Sequence, residues 1–98
     1  METPHALMLS ENDNVATVLA DVAEGANVLV RFGGRSRTVQ ASERIPFAFK
    51  MALTDISKGS GVYKYGECIG LASKDIHQGQ LVHIHNIEGA RGRGDLAR

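Results

Sequence analysis

Cysteine is almost missing from this chain: its 98 residues hold one, Cys68. No intrachain disulfide can form, which excludes a small secreted scaffold stapled by bridges. A surplus of charge is missing too, since 11 Lys+Arg balance 11 Asp+Glu. Bulk binding to nucleic acid or to a membrane surface usually shows a basic excess, so neither partner is expected. The opening "METPHALMLSENDN" lacks a basic start followed by an apolar run. No signal peptide or transmembrane segment is expected, and a reducing cytoplasm is the default setting. Length is also short supply: one small domain has little room for both a core and a deep cavity. A site shared with another subunit is the natural alternative.

What the chain does have is a short pattern used three times. "DVAEGANV" begins at Asp21, "DISKGSGV" at Asp55 and "DIHQGQLV" at Asp75. Each gives Asp, a β-branched residue, two variable positions, Gly, two more, then Val. The uneven spacing is no solenoid period. In each copy Asp can cap a turn, the β-branched residue can plug the core, and Gly can supply positive φ. The segments that follow, "NVLVRF", "GVYKY" and "LVHIHNI", are β-prone. The pattern predicts three turn-then-strand units.

Further strands are expected at "HALMLS", "NVATVLADV", "CIGLAS" and "RTVQAS", the last returning from Gly33-Gly34 as a hairpin. "NVATVLADV" also fits helical spacing, and "FAFKMAL" is open between a strand and a single helical turn. Short strands, frequent turns and 11 glycines predict an all-β, barrel-like domain with little helix. It would occupy residues 1–88. Residues 89–98, rich in Gly and Arg, read as a flexible, linker-like tail.

Several residues are candidates for chemistry. On one strand, His83 and His85 would share a face. They could then ligate one divalent ion or bracket an anion. Two ligands do not complete a centre, so a partner, His5 or His77 would have to supply the rest. The plain alternative is two solvated imidazoles, with Val82 and Ile84 inward. Asn86, on the opposite face, could order His85 or bind a ligand hydroxyl, or be a turn residue. Lys50 is a lone cation between Phe49 and Met51, either snorkelling from the core edge or aimed at a carboxylate. Phe47, Phe49 and Met51 read as core or partner-facing surface. Tyr65-Gly66-Glu67 sits between strands, with Gly66 structural and Glu67 facing solvent. Arg91 and Arg93 could clamp an acidic group or dock the tail. Cys68 reads as a buried small residue, and a lone thiol does not hold an iron–sulfur cluster. Asp21, Asp55 and Asp75 read as turn formers. No phosphate-binding Gly loop followed by Lys-Ser/Thr is present.

The order of segments "NDNVATVLADV" (12–22), "IPFAFKMALTDISKG" (45–59), "VYKYGECIGLASKDIHQGQLVHIHN" (62–86) and "RGRGD" (91–95) is distinctive. It resembles the SAF domain, a β-clip fold shared with type III antifreeze proteins and the C-terminal domain of sialic acid synthases. Within that group it is most similar to the small subunit, or N-terminal domain, of the altronate and galactarate dehydratase family. Sulfolactate sulfo-lyase has a similar small subunit. The resemblance implies a large catalytic dehydratase subunit as partner, beginning where this chain ends after "RGRGD". It implies β-elimination of water from a sugar acid, assisted by a divalent metal, iron(II), held mainly by that partner and not by the isolated chain. Whether this chain supplies catalytic groups stays open, as does homo-oligomerisation. Lys50, Tyr65, His83, His85, Asn86, Arg91 and Arg93 would lie nearest substrate or interface. Many relatives carry Gly-His-Lys where this chain has Ala48-Phe49-Lys50, so only Lys50 carries over from that motif. A stand-alone carbohydrate-binding or assembly module is the alternative from another class.

Overall fold

The computed structural model describes residues 3–89. Arg91, Arg93 and the rest of the expected tail beyond Gly89 lie outside these residues. The described residues form nine short strands and no helix, as an all-β domain requires. These are β1 (His5–Leu7), β2 (Val15–Val18), β3 (Asn27–Phe32), β4 (Arg35–Gln40) and β5 (Lys50–Ala52). They continue as β6 (Gly61–Lys64), β7 (Glu67–Ala72), β8 (Leu81–Val82) and β9 (Ile87–Glu88). One sheet has the order β4-β3-β1-β2-β5-β8, the other β6-β7-β9. Only β1 and β3 run parallel; the other pairings are antiparallel.

The three repeated units fold alike, and the structure adds a fourth. Gly25, Gly59 and Gly79 have φ of 85°, 89° and 89°, and Ala48 has φ of 75°. Each sits at the third position of a turn closed by a bond from the fourth residue's N–H to the first residue's carbonyl. The bonds are Ala26 to Ala23, Phe49 to Pro46, Ser60 to Ser57 and Gln80 to His77. A positive φ there is the signature of a type II turn. Ala48 stands where the resemblance puts glycine, which explains why glycine suits that place.

The four turns associate in two pairs. Val22 bridges Ile45, and Ile56 bridges Ile76. All four side chains are buried. The N–H of each left-handed residue donates to a carbonyl just before the paired unit: Gly25 to Ala41, Ala48 to Val18, Gly59 to Ala72, Gly79 to Ala52. The aspartates do cap turns, but those of the paired unit and not their own. Asp21 accepts from Phe47 N, Asp75 from Lys58 N and Asp55 from Gln78 N, at 2.8, 2.9 and 2.9 Å. Arg44 stands in the fourth Asp position, so the first pair has one carboxylate clamp and the second has two.

Each pair of turns seals one apolar cluster. Val22 and Ile45 join Ala16, Val18, Val28, Val30 and Met51 in the first. Ile56 and Ile76 join Val15, Ala52, Val62, Ala72 and Val82 in the second. Alternation along a strand explains the split. In β2, Val15 faces the second cluster while Ala16 and Val18 belong to the first. In β5, Ala52 and Met51 divide the same way.

Three expectations need correcting. "LVHIHNI" is not one strand: β8 ends at Val82, a tight turn follows, and β9 starts at Ile87. Ile84 is not inward but 80% exposed. Cys68 is exposed, not buried. The cause of the last is a register shift between Val62 and Tyr63. Beyond that bulge the start of β7 runs clear of the core.

Candidate functional site

Two polar side chains are buried among the described residues, Asp13 and Asn86. Buried polar groups need partners, and both find them in backbone. Asn86 Oδ1 accepts from His83 N at 2.9 Å, and its Nδ2 donates to Leu81 O at 2.8 Å. The N–H groups of Asn86 and Ile87 both donate to His83 O. These bonds wind 83–86 into a turn, which is why His83 and His85 do not share a strand face. His83 packs on Phe49, with ring centroids 4.7 Å apart, while His85 is exposed.

Asp13 is the second anchor. Its Oδ2 accepts from Leu9 N and Ser10 N, each at 3.1 Å, and its Oδ1 from Gly66 N at 2.8 Å. One carboxylate thus ties the loop after β1 to the tip of the β6–β7 hairpin. Asn14 continues the stitching: its Oδ1 accepts from Tyr63 N at 2.7 Å and its Nδ2 donates to Gly61 O at 3.0 Å. Sequence reading singled out neither residue for a role. The signal was there in "NDN", three short polar residues directly before an apolar strand.

The hairpin tip held by Asp13 is Tyr65-Gly66, with φ of 56° and 83°. Two positive φ values in a two-residue loop define a type I′ turn, where Asn-Gly is preferred. A tyrosine in that conformation is uncommon and costs about 1 kcal/mol or more. The tip carries Tyr65 across to the other sheet, where its hydroxyl donates to Thr17 Oγ1 at 3.0 Å. Lys64 Nζ stands 4.9 Å from the centroid of the Tyr65 ring. Thr17 is paired with Lys50 across β2 and β5. Directly opposed residues share a face, and here it is the face of Val15 and Ala52. One pair further along, the second apolar cluster ends, and Thr17 and Lys50 form its polar rim.

Lys50 is half-buried on this rim. Burial pushes its pKa below the ordinary 10.5, and the neighbouring Lys64 ammonium lowers it further. Among the described residues Arg35 pairs with Glu11 and His77 Nδ1 lies 3.9 Å from Asp55 Oδ1; Lys50 takes part in neither contact. The sign of the linkage follows. A lowered pKa means that the fold disfavours the charged form. The penalty is complete while Lys50 is charged in both states, and it fades as pH rises through the folded value towards 10.5. Replacing Lys50 by Met should therefore raise the melting temperature at neutral pH. The gain should shrink as pH rises through the lowered folded value towards 10.5, as thermal unfolding across pH would show.

The structure thus brings Lys50 and Tyr65 together, with Thr17 and Lys64. His83 packs instead on Phe49, whose ring belongs with the first apolar cluster, away from this rim. It puts His85 on the exposed side of a turn and makes Asn86 a buried staple. Glu67 is exposed, and Gly66 takes a left-handed turn position. Among the described residues no group of three or more His, Cys, Asp or Glu converges as a metal ion needs. His83 and His85 do not form such a centre within these residues. Among the described residues there is no helix long and apolar enough to cross a membrane.

Known proteins are similar to this sequence. The model for "Altronate/galactarate dehydratase SAF domain" matches residues 4–90. Altronate dehydratase of Escherichia coli (strain K12) is 49% identical over 74 residues, covering 76% of this chain and 14% of that protein. Altronate dehydratase of Bacillus subtilis (strain 168) is 31% identical over 82 residues, covering 84% of this chain and 16% of that protein. The (2R)-sulfolactate sulfo-lyase subunit alpha of Chromohalobacter salexigens is 31% identical over 83 residues, covering 82% of this chain and 88% of that subunit. The match spans about a sixth or less of each dehydratase but nearly all of the sulfo-lyase subunit. A family match over all of the described strands, in a domain built from paired turns, places the chain in the altronate/galactarate dehydratase SAF-domain family.

Proposed function

We propose that this chain is the small subunit of a two-chain lyase acting on a sugar acid, and that it docks on a larger catalytic chain. One observation carries the reading. A relative of nearly the same extent is named as a subunit of a lyase, while in the dehydratases the matching segment is a small part of a long chain. In this reading the small domain pairs with a lyase body in either arrangement. The reaction class is β-elimination, in which a base takes the proton α to a carboxylate and hydroxide leaves. The described residues supply no metal centre. In this reading the divalent ion, iron(II), stays with the larger chain.

The contribution of this chain is a wall beside the reacting acid. Its polar rim, Thr17, Lys50, Lys64 and Tyr65, is set rigidly by Asp13 and by sheet register. The exposed Ile84, with Phe47 at 60% exposure, supplies apolar contacts for docking. Arg91 and Arg93 would join the docking surface. The cytoplasm is the setting of the same reading. Elimination of sulfite from sulfolactate is the second reading, favoured by the near-complete match to the sulfo-lyase subunit. Co-expression with a dehydratase-like chain from the same genome tests docking. A stable complex on gel filtration is expected; two separate peaks would favour a stand-alone module.

A further inference from the structure

We infer that Lys50, Lys64, Tyr65 and Thr17 form a receptor for the carboxylate end of a small hydroxylated acid. Four observations converge. Two cations and two hydroxyls meet on one rim, although they come from three strands and a hairpin tip. The Tyr65 hydroxyl and Thr17 Oγ1 are already bonded to each other at 3.0 Å, so both are fixed before any ligand arrives. Lys50 is half-buried beside a like charge, an arrangement that an incoming anion relieves. Tyr65 keeps a strained backbone, φ 56°, at a place where Asn or Gly would fit without cost. Strain of that kind persists where the side chain is needed.

The chemistry selects the ligand. Two ammonium groups answer a carboxylate. Bonded hydroxyls at its side can donate to, and accept from, a hydroxyl on the neighbouring carbon. A bare fatty acid uses only the first half of this set, and a neutral polyol only the second. A carboxylate could also come from an acidic side chain of the larger subunit. The choice of a small acid over that source rests on the proposed function. Thr17 and Lys64 enter through geometry, since the resemblance gives neither of them a role.

The test titrates the full chain with gluconate, acetate and glucitol at constant ionic strength, followed by NMR. Gluconate should move the signals of Thr17, Lys50, Lys64 and Tyr65. Acetate should bind more weakly, and glucitol should leave these signals in place. Lys50→Met and Lys64→Met should each weaken gluconate by about tenfold. Tyr65→Phe keeps the ring and removes one hydroxyl, so it should weaken gluconate while leaving acetate unchanged. Unmoved rim signals would overturn the inference, as would gluconate binding that both lysine variants retain. Equal binding of acetate and gluconate would overturn the role of the hydroxyls. In the complex, gluconate should still reach the rim; exclusion by the larger chain would assign Lys50 to a protein carboxylate instead. None of these readouts needs turnover. A chain that binds gluconate but supports no lyase leaves the receptor standing and removes the proposed function. An active complex whose rim ignores gluconate does the reverse.

Discussion

Gly79→Ala should destabilise the domain by about 4 kcal/mol, the largest loss expected from adding a single methyl group. Gly79 has φ of 89°, and a Cβ there would lie 2.3 Å from Gln40 O and 3.0 Å from Ser42 N. Both contacts are backbone, so no side chain can swing away. Nor can the turn retreat: Gly79 N donates to Ala52 O and Gly79 O accepts from Ser42 N, both at 2.9 Å. Leu81 N is held at the same junction by Glu43 Oε2. Here the His77–Gln80 turn presses on the segment after β4, joining the two halves of the fold. Gly25 is the control. It has φ of 85° in an equivalent turn, but nothing lies within 4 Å of its added Cβ. Gly25→Ala should cost only the left-handed penalty, about 1–2 kcal/mol. Urea unfolding of both variants measures the gap. Equal losses would mean that the turn does not press on Gln40 as described.

The second large effect is expected at Asp13. Asp13→Ala removes the acceptor of three backbone N–H groups, those of Leu9, Ser10 and Gly66. Bonds to a charged acceptor contribute more than neutral ones, and these part-buried donors lose three such bonds at once. A loss of about 3 kcal/mol follows from these terms. Asp13→Asn keeps one acceptor oxygen and should fall between. The effect should also travel. Without the bond to Oδ1, the Gly66 amide should lose protection from hydrogen exchange, and Tyr65 should leave Thr17. Amide exchange at Gly66, compared with Val62 in the buried part of the same hairpin, separates local release from global unfolding. Matching losses at both positions would show that Asp13 stabilises the fold without positioning the tip.

The strands were readable from sequence where local chemistry speaks for itself. Asp-x-x-x-Gly before a β-prone run marked three turns, because Gly at a left-handed position and a β-branched plug leave a plain pattern. The fourth turn, Pro46-Phe47-Ala48-Phe49, was hidden, because Ala48 takes the glycine's conformation and Arg44 the aspartate's position. The histidines were misplaced for a related reason. Alternation in "VHIHN" suggests a strand, but the Asn86 side chain returns to His83 N and Leu81 O and curls the chain. Nothing in a two-residue period reports such a bond.

The site was readable only in part. Lys50 stood out as a charge in an apolar run, and Tyr65 as an aromatic at a turn. Thr17 and Lys64 did not, since each is an ordinary residue on its own strand. Thr17 meets the hairpin through a bond that spans 48 residues of sequence. Asp13 and Asn14 reach 53 and 49 residues to Gly66 and Tyr63. Contacts of that range come from the fold and leave no local mark.

Reconstitution tests the central claim most directly. The larger dehydratase-like chain from the same genome would be purified, and its turnover of altronate, galactarate and sulfolactate measured with and without this chain. The account predicts that one of these substrates is consumed only when both chains are present, and that Lys50→Met lowers that rate. Full turnover by the larger chain alone would contradict it.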